Sequence, residues 1–255
     1  MPEKFIKQSF VAFLLCLSLV LVPNLGLARE FVLVSLEYLP YSQRENGVLK
    51  GFDIEILQEC FRRMGVDLKI ELVPWKRALS MAMHSHVDGI FGALKTPARI
   101  EKLYYSDPYR SEQISLFVRR NSKLVFDGNL EKIKDHSFGV IRDFSYGKKL
   151  DKFLHTELEK RRVEWVVDTE RNIAKLIKGR FDILIADHFS AMHTIRNMKV
   201  KGKIRSLEPP VTDNNIYVAF SRKRKLAFLR DHFNMALRSM REDGTLDLIM
   251  KKYVD

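Results

Sequence analysis

The chain has 255 residues, 46% hydrophobic and 30% charged, with 44 Lys and Arg against 32 Asp and Glu and a formal net charge of +12. Its 17 Phe and many aliphatic residues exclude disorder as the main state, and two cysteines cannot staple a chain of this size. The length fits one large domain or two small ones.

Residues 1–28 read as an export signal. Lys4 and Lys7 form a basic start, an apolar run covers 10–22, Pro23 and Asn24 break it, and Gly26 and Ala28 are small residues spaced as a signal peptidase requires. The run is short for a membrane span of about 20 residues. Cys16 lies inside it with apolar residues following, which is wrong for a lipid-attachment site. Cleavage is expected after Ala28, leaving a mature chain of residues 29–255. Beyond the signal, short apolar runs alternate with helical periods, the pattern of βαβ units around parallel sheets. Strands are predicted over 31–37 and 68–73, separated by a turn at Asn46-Gly47 and a helix over 53–64 with Asp53 as its N-cap. A helix from near Lys76, a strand over 89–94, a short helix after Thr96 and a strand over 114–119 follow. The alternation then repeats, with strands over 137–141, 163–167 and 183–187 and helices over 146–160 and 169–178. After Pro209-Pro210 come a strand over 216–220 and two helices. The first carries Leu226, Leu229, Phe233, Leu237 and Met240 on one face, and the second starts after Asp243-Gly244.

No nucleophile elbow, P-loop, His-Glu-x-x-His or cysteine-rich metal motif occurs in the sequence. His84 and His86 could offer two ligands to a metal, but no acidic or thiol partner follows by spacing, so a solvated helix end is expected and no cofactor is assigned. Asp187-His188 resembles half of an acid/base pair with no nucleophile to serve. Cys60 shares an apolar helix face with Ile54, Leu57, Phe61 and Met64, which predicts a buried, inert thiol. Lys and Arg are scattered over both halves without an aromatic-interleaved basic motif, which argues for a solvated surface and against a nucleic-acid partner.

A set of motifs in fixed order carries a resemblance. Glu37-Tyr38-Leu39-Pro40-Tyr41 follows the first strand, Gly51-Phe52-Asp53 opens the first helix, and Trp75 follows the second strand. Asp88-Gly89-Ile90, Thr96-Pro97-Ala98-Arg99 and Tyr105-Ser106-Asp107-Pro108-Tyr109 come next, then Gly179-Arg180-Phe181-Asp182 leading to Asp187, and finally Asp243-Gly244-Thr245. Behind a signal peptide this combination resembles the periplasmic solute-binding proteins of amino-acid ABC importers, the family 3 binding proteins, over nearly the whole mature chain. The resemblance implies an α/β fold of the type 2 periplasmic binding class, each of two lobes a mixed sheet flanked by helices, with the ligand cleft between them. Lobe 1 would comprise residues 29–118 plus 219–255, and lobe 2 residues 119–218.

The same resemblance implies site residues. Arg99 matches the family's carboxylate-binding arginine, Asp187 the acid that receives the ligand's amino group, Tyr38 and Trp75 the aromatic walls, and Ser145 a hydroxyl beside a helix N-terminus. A cation at a helix start is locally unfavourable, which favours a functional reason for Arg99. Departures are also visible. Gly92-Ala93-Leu94-Lys95 stands where many amino-acid binders carry a Ser/Thr-rich stretch, and Arg142-Asp143-Phe144-Ser145 stands where they have a Gly-Thr-Thr-like turn. Ala93 and Phe144 therefore enter the expected lining in place of hydroxyl contacts, and Lys95 and Arg142 are two extra cations beside the cleft. They suggest a ligand more anionic than a neutral amino acid; pairing with Asp187 or Asp143 would instead leave a nearly neutral pocket.

The expected function is capture of a small polar solute, an amino acid or related carboxylate, by a periplasmic monomer that delivers it to an inner-membrane ABC permease, without catalysis. Two alternatives use the same cleft. One is a ligand-sensing partner of a membrane receptor. The other is a periplasmic lyase of the dehydratase type, with Glu37 or Asp187 as general acid.

Overall fold

The computed structural model describes residues 29–159 and 162–254; the expected export signal and its cleavage site lie outside them. Strands β1 (Phe31–Ser35), β4 (Leu68–Leu72) and β5 (Gly89–Ala93) run parallel, β1 in the middle. Leu33, Val34, Ile90 and Phe91 are fully buried, as expected of parallel strands covered on both faces. Between β1 and β4 lie a hairpin of β2 (Gln43–Glu45) and β3 (Val48–Lys50), turned through Asn46 and Gly47 at positive φ, and helix α1 (Phe52–Met64). Helix α2 (Trp75–Met83) joins β4 to β5. A one-turn α3 (Pro97–Ile100) and a short β6 (Leu103–Tyr105) lead into β7 (Arg110–Arg119).

The second half repeats the alternation. Strand β8 (Phe138–Ile141) is followed by α4 (Lys148–Glu159), β9 (Val163–Val166), α5 (Thr169–Ile177), β10 (Ile183–Asp187), α6 (His188–Asn197) and β11 (Ile204–Ser206). Strand β12 (Thr212–Ser221) returns the chain to the first half, which α7 (Ala227–Glu242) and α8 (Thr245–Val254) complete.

The strands form one continuous path in the order β4-β1-β5-β12-β7-β10-β8-β9, with β6 on β12 and β11 on β7. Two long strands join the halves. The Tyr217–Phe220 side of β12 pairs with β5, while Thr212 to Ile216 pair with β7 from Ile114 back to Arg110. Beyond that point β7 pairs with β10 and β11. The packing separates accordingly. One core gathers Leu33, Ile54, Phe61, Ile90, Phe220 and Phe233. In the second half the sheet has a core on each face, one around Leu116, Phe138, Leu150 and Ile183, the other around Phe117, Ile173, Phe181 and Ile195. At Gly139 a Cβ would come within 2.1 Å of the Phe181 ring, so only glycine lets that ring lie against β8.

The expected strands and helices all occur, with differences at the edges. Strand β7 begins at Arg110 rather than near Ile114, and β12 at Thr212 rather than Ile216, because the two-stranded ribbon joining the halves is made of polar residues. Helix α1 starts from Gly51 at φ 123°, where a Cβ would meet the Tyr41 carbonyl oxygen at 2.3 Å. Asp53 is therefore not the N-cap. It is a buried residue of the first turn whose carboxylate turns away from the helix end, to a hydroxyl and a guanidinium in β7 and just before it. Cys60 is fully buried against Met240, and burial pushes its thiol up to about 12, in keeping with an inert packing role.

Candidate ligand-binding cleft

The floor of the space between the halves is set by strand register. On β7 the side chains of Arg110, Glu112 and Ile114 share one buried face, while Ser111 and Gln113 are exposed on the other. Ile114 lies opposite Asp187 of β10, and Glu112 opposite Asn214 of β12. Glu112 and Asp187 are thus diagonal neighbours on one face, at the carboxyl end of β10, where open α/β sheets present ligand sites.

Charge is concentrated there. Asp53, Arg110, Glu112 and Asp187 are all buried, Glu112 at 4% exposure and Asp187 at 1%. Arg110 donates through Nε and Nη2 to the two Asp53 oxygens at 2.7 and 3.2 Å and through Nη1 to Glu112 Oε1 at 2.8 Å, and its guanidinium lies 3.7 Å from the centre of the Tyr41 ring. The Tyr109 hydroxyl donates to Asp53 at 2.7 Å. Asp187 Oδ2 accepts from the Ser190 backbone N–H, capping α6, and from the Tyr41 hydroxyl, each at 2.8 Å. Its Oδ1 is buried with no partner among the described residues. Burial holds Asp53 and Asp187 above the usual carboxylate range, against the pull of Arg110. Burial, with the charge of Asp187 adding, pushes Glu112 up to about 7 although Arg110 opposes it.

The opposite wall is aromatic and has one buried cation. Arg99, 7% exposed at the end of the turn that starts at Thr96, has its guanidinium 5.6 Å from the Trp75 ring centre. It donates to the Leu94 carbonyl at 3.2 Å and, at 3.5 Å, to the Asp143 carbonyl. That same carbonyl accepts the Trp75 indole N–H at 3.0 Å. Asp143 adopts φ +61°, a conformation that a short polar side chain tolerates, and this aims its carbonyl at both donors. The next residue, Phe144, packs 5.4 Å from Trp75 and 5.6 Å from Tyr38, and Tyr38 packs 5.5 Å from Tyr41. Tyr41, Arg110 and Asp187 also wall a cavity of about 330 Å³ closed on its other side by Phe52, Phe189 and Tyr253.

Of the residues expected from sequence, Tyr38, Trp75, Arg99 and Phe144 meet around the Asp143 backbone, and Asp187 joins them through Tyr41. Ala93 is buried at the end of β5 opposite Tyr217. Lys95 is exposed, its ammonium 4.0 Å over the Tyr217 ring. Arg142 is exposed, held by its backbone N–H on the Val166 carbonyl. Neither cation pairs with Asp187 or Asp143 among the described residues; the neighbour of Asp143 is Lys76 at 3.9 Å. The Ser145 hydroxyl donates to Asp151, which also accepts the Tyr146 N–H, so it closes the turn before α4. His84 and His86 are exposed and stacked at 6.0 Å, and no metal-holding cluster forms among the described residues. Glu37 is exposed, and the His188 ring contacts Ser115 Oγ at 3.1 Å. Sequence reasoning missed Tyr41, Arg110 and Glu112. The alternation of Arg110, Glu112 and Ile114 was the available signal, since a period of two running into an apolar strand marks one face of a longer strand.

Comparison with known proteins agrees with this architecture. The Escherichia coli L-cystine-binding protein TcyJ is 23% identical over 239 residues, covering 88% of this chain and 83% of that protein. The E. coli histidine-binding periplasmic protein is 24% identical over 225 residues, covering 86% and 84%. Among solved structures, a histidine kinase sensor domain with similarity to periplasmic binding proteins superposes with a TM-score of 0.79 at 19% identity, covering 89% of this chain and 96% of that one. The family of bacterial extracellular solute-binding proteins, family 3, matches residues 31–255, and the chain belongs to it.

Proposed function

We propose that the protein captures an amino acid in the periplasm and delivers it to an ABC importer, as a monomer and without catalysis. The observation that carries this reading is the placement of two buried charges of opposite sign on the two halves. Arg99 reaches across to the Asp143 carbonyl and Asp187 reaches across to Tyr41, with Trp75, Tyr38 and Phe144 packed between them. A carboxylate suits Arg99, an ammonium suits the unpartnered Asp187 oxygen, and the rings suit the carbon skeleton. Relatives named for cystine and histidine binding at 23% and 24% identity support the ligand class. The proposed lobes are supported by the separate cores, and the packing of Ile114, Leu116 and Val118 in the second favours a seam near residue 113.

The exposed side chains of Lys95 and Arg142 and the acidic balance of the buried floor favour an amino acid over a more anionic ligand. A general acid is disfavoured for similar reasons: Glu37 is exposed, and Asp187 is already an N-cap and a hydroxyl acceptor.

The test is a thermal-shift screen of residues 29–255 against amino acids, dicarboxylates, polyamines and small sugars. A ligand at 100 times its Kd stabilises the native state by about 2.7 kcal/mol. An amino-acid shift that disappears in Arg99→Ala supports the reading; a shift only with another class, or one that Arg99→Ala leaves unchanged, overturns it. The mass of the exported protein checks cleavage after Ala28.

A further inference from the structure

The floor holds more acid than the binding of one zwitterion requires. Asp53, Glu112 and Asp187 are buried together, and Arg110 is the buried cation between them. Arg110 is bidentate on Asp53, whose remaining contact is the Tyr109 hydroxyl, so this pair is complete in itself. Asp187 has no ion pair among the described residues, and the ammonium of the proposed amino acid would supply one. Glu112 is left sharing the far edge of a guanidinium already committed to Asp53.

Glu112 lies in the ribbon of strands that joins the halves, on the same buried face as Asp187, and it is bonded to Arg110, which walls the cavity. Diagonal neighbours on an antiparallel pair stand roughly 7 Å apart, the scale on which the four-carbon stem of a lysine-type side chain separates its two amino groups.

We propose that Glu112 is a second cation-recognition group beside Asp187, and that the solute is an amino acid with a basic side chain. Its α-ammonium meets Asp187 and its side-chain cation meets Glu112. This rests on the amino-acid reading above and narrows it. The titratable and charged groups facing Glu112 are Arg110, Asp187, Asp53, Tyr38, Tyr41 and Tyr146. Near neutral pH the carboxyl of Glu112 is partly protonated, so a cationic ligand displaces that proton and binding releases it to solvent.

The experiment is calorimetry of residues 29–255 with arginine, lysine and ornithine against the neutral near-isosteres citrulline, norleucine and glutamine, in wild type, Glu112→Gln and Glu112→Asp. The wild type is expected to prefer the cationic member of each pair by ~10- to 100-fold. In Glu112→Gln the preference falls to within ~3-fold while the neutral compounds bind as well or better, and Glu112→Asp recovers part of it. Titrations in buffers of different ionisation enthalpy show proton release with arginine near pH 7 in wild type and none in Glu112→Gln. Retained neutral-ligand binding shows that Glu112→Gln is folded. If neutral amino acids bind wild type as tightly as basic ones, or Glu112→Gln keeps the preference, Glu112 is a structural partner of Arg110 and this inference fails alone. If no amino acid binds wild type, the amino-acid reading fails and takes this one with it.

Discussion

The two charged ends of the cleft are built on different principles. At the Arg99 end one cation meets neutral partners, two backbone carbonyls and an indole, with Phe144 packed on that indole and Tyr38 on Phe144. At the floor, charges meet charges, with Arg110 between Asp53 and Glu112 and the carboxylate of Asp187 close by. The first arrangement can exchange a carbonyl for a ligand oxygen with little reorganisation. The second cannot lose its cation without leaving buried carboxylates unpaired. On the proposed function, ligand capture falls chiefly to Arg99 and cohesion of the joining strands to Arg110.

Removing each arginine breaks that comparison most sharply. Arg110→Met should destabilise the protein by about 3–5 kcal/mol, since it leaves two buried carboxylates without their cation. Arg99→Ala should cost about 1 kcal/mol or less, because it removes hydrogen bonds to carbonyls near the cleft surface, yet it should abolish amino-acid binding. Urea unfolding measures the first quantity and calorimetry the second. Equal destabilisation by the two substitutions would mean that the ends are not different in kind.

The pH dependence sharpens the same point and is next in size. Glu112 sits at about 7 in the folded protein, well above its unfolded value, so between roughly pH 5 and 7 the native state binds more protons than the unfolded chain. Stability therefore falls as pH rises through that window, by up to about 3 kcal/mol if Glu112 acts alone. Asp187 and Asp53, also raised by burial, add in the same direction. Glu112→Gln should flatten much of the slope in urea melts across pH 5 to 8. An unchanged slope would remove Glu112 from the account.

The contrast also explains what was legible beforehand. The Arg99 end is local: Thr96, Pro97 and Arg99 occupy one turn, and Trp75 opens the helix that follows β4, so short motifs point to them. The floor is assembled from β7, β10 and β12, elements distant in sequence and brought together by register alone. Asp187 was found through the family resemblance, at the end of an apolar strand that follows Gly179-Arg180-Phe181-Asp182, but Arg110 and Glu112 lie in a polar stretch that reads as a loop. Helix α6 was missed because it starts at His188 directly after β10, with no turn residue to mark a boundary. Strands β2 and β3 carry too little apolar pattern to show more than their Asn46-Gly47 turn. Ser145 and Asp53 share another cause: a side chain suited to a helix start found a stronger partner, Asp151 and Arg110 respectively.

Two bridges between the halves give intermediate effects. Tyr41→Phe removes the hydroxyl that Asp187 accepts and should cost about 1–3 kcal/mol, since the acceptor is a buried carboxylate. Trp75→Phe keeps a ring against Phe144 but loses the indole N–H to the Asp143 carbonyl, a neutral bond worth about 1 kcal/mol. Tyr41→Phe should therefore lower the melting temperature more than Trp75→Phe. The reverse order would place the stronger bridge at the aromatic end.

The smallest expected effect concerns the cations nearest the cleft mouth. The Lys95 ammonium rests on the Tyr217 ring in solvent, an arrangement worth about 0.5–1 kcal/mol, and the Arg142 side chain is exposed. The double substitution Lys95→Gln, Arg142→Gln should leave amino-acid affinity within about 2-fold at physiological salt, because exposed charges beyond a Debye length of about 8 Å are screened. At low salt their removal should speed association of a basic ligand, since a positive rim repels it, and leave dissociation unchanged. Stopped-flow binding at two ionic strengths separates these rates. A 10-fold loss of affinity at high salt would place Lys95 or Arg142 against the bound ligand, and the cleft would then have charge recognition at its mouth as well as its floor.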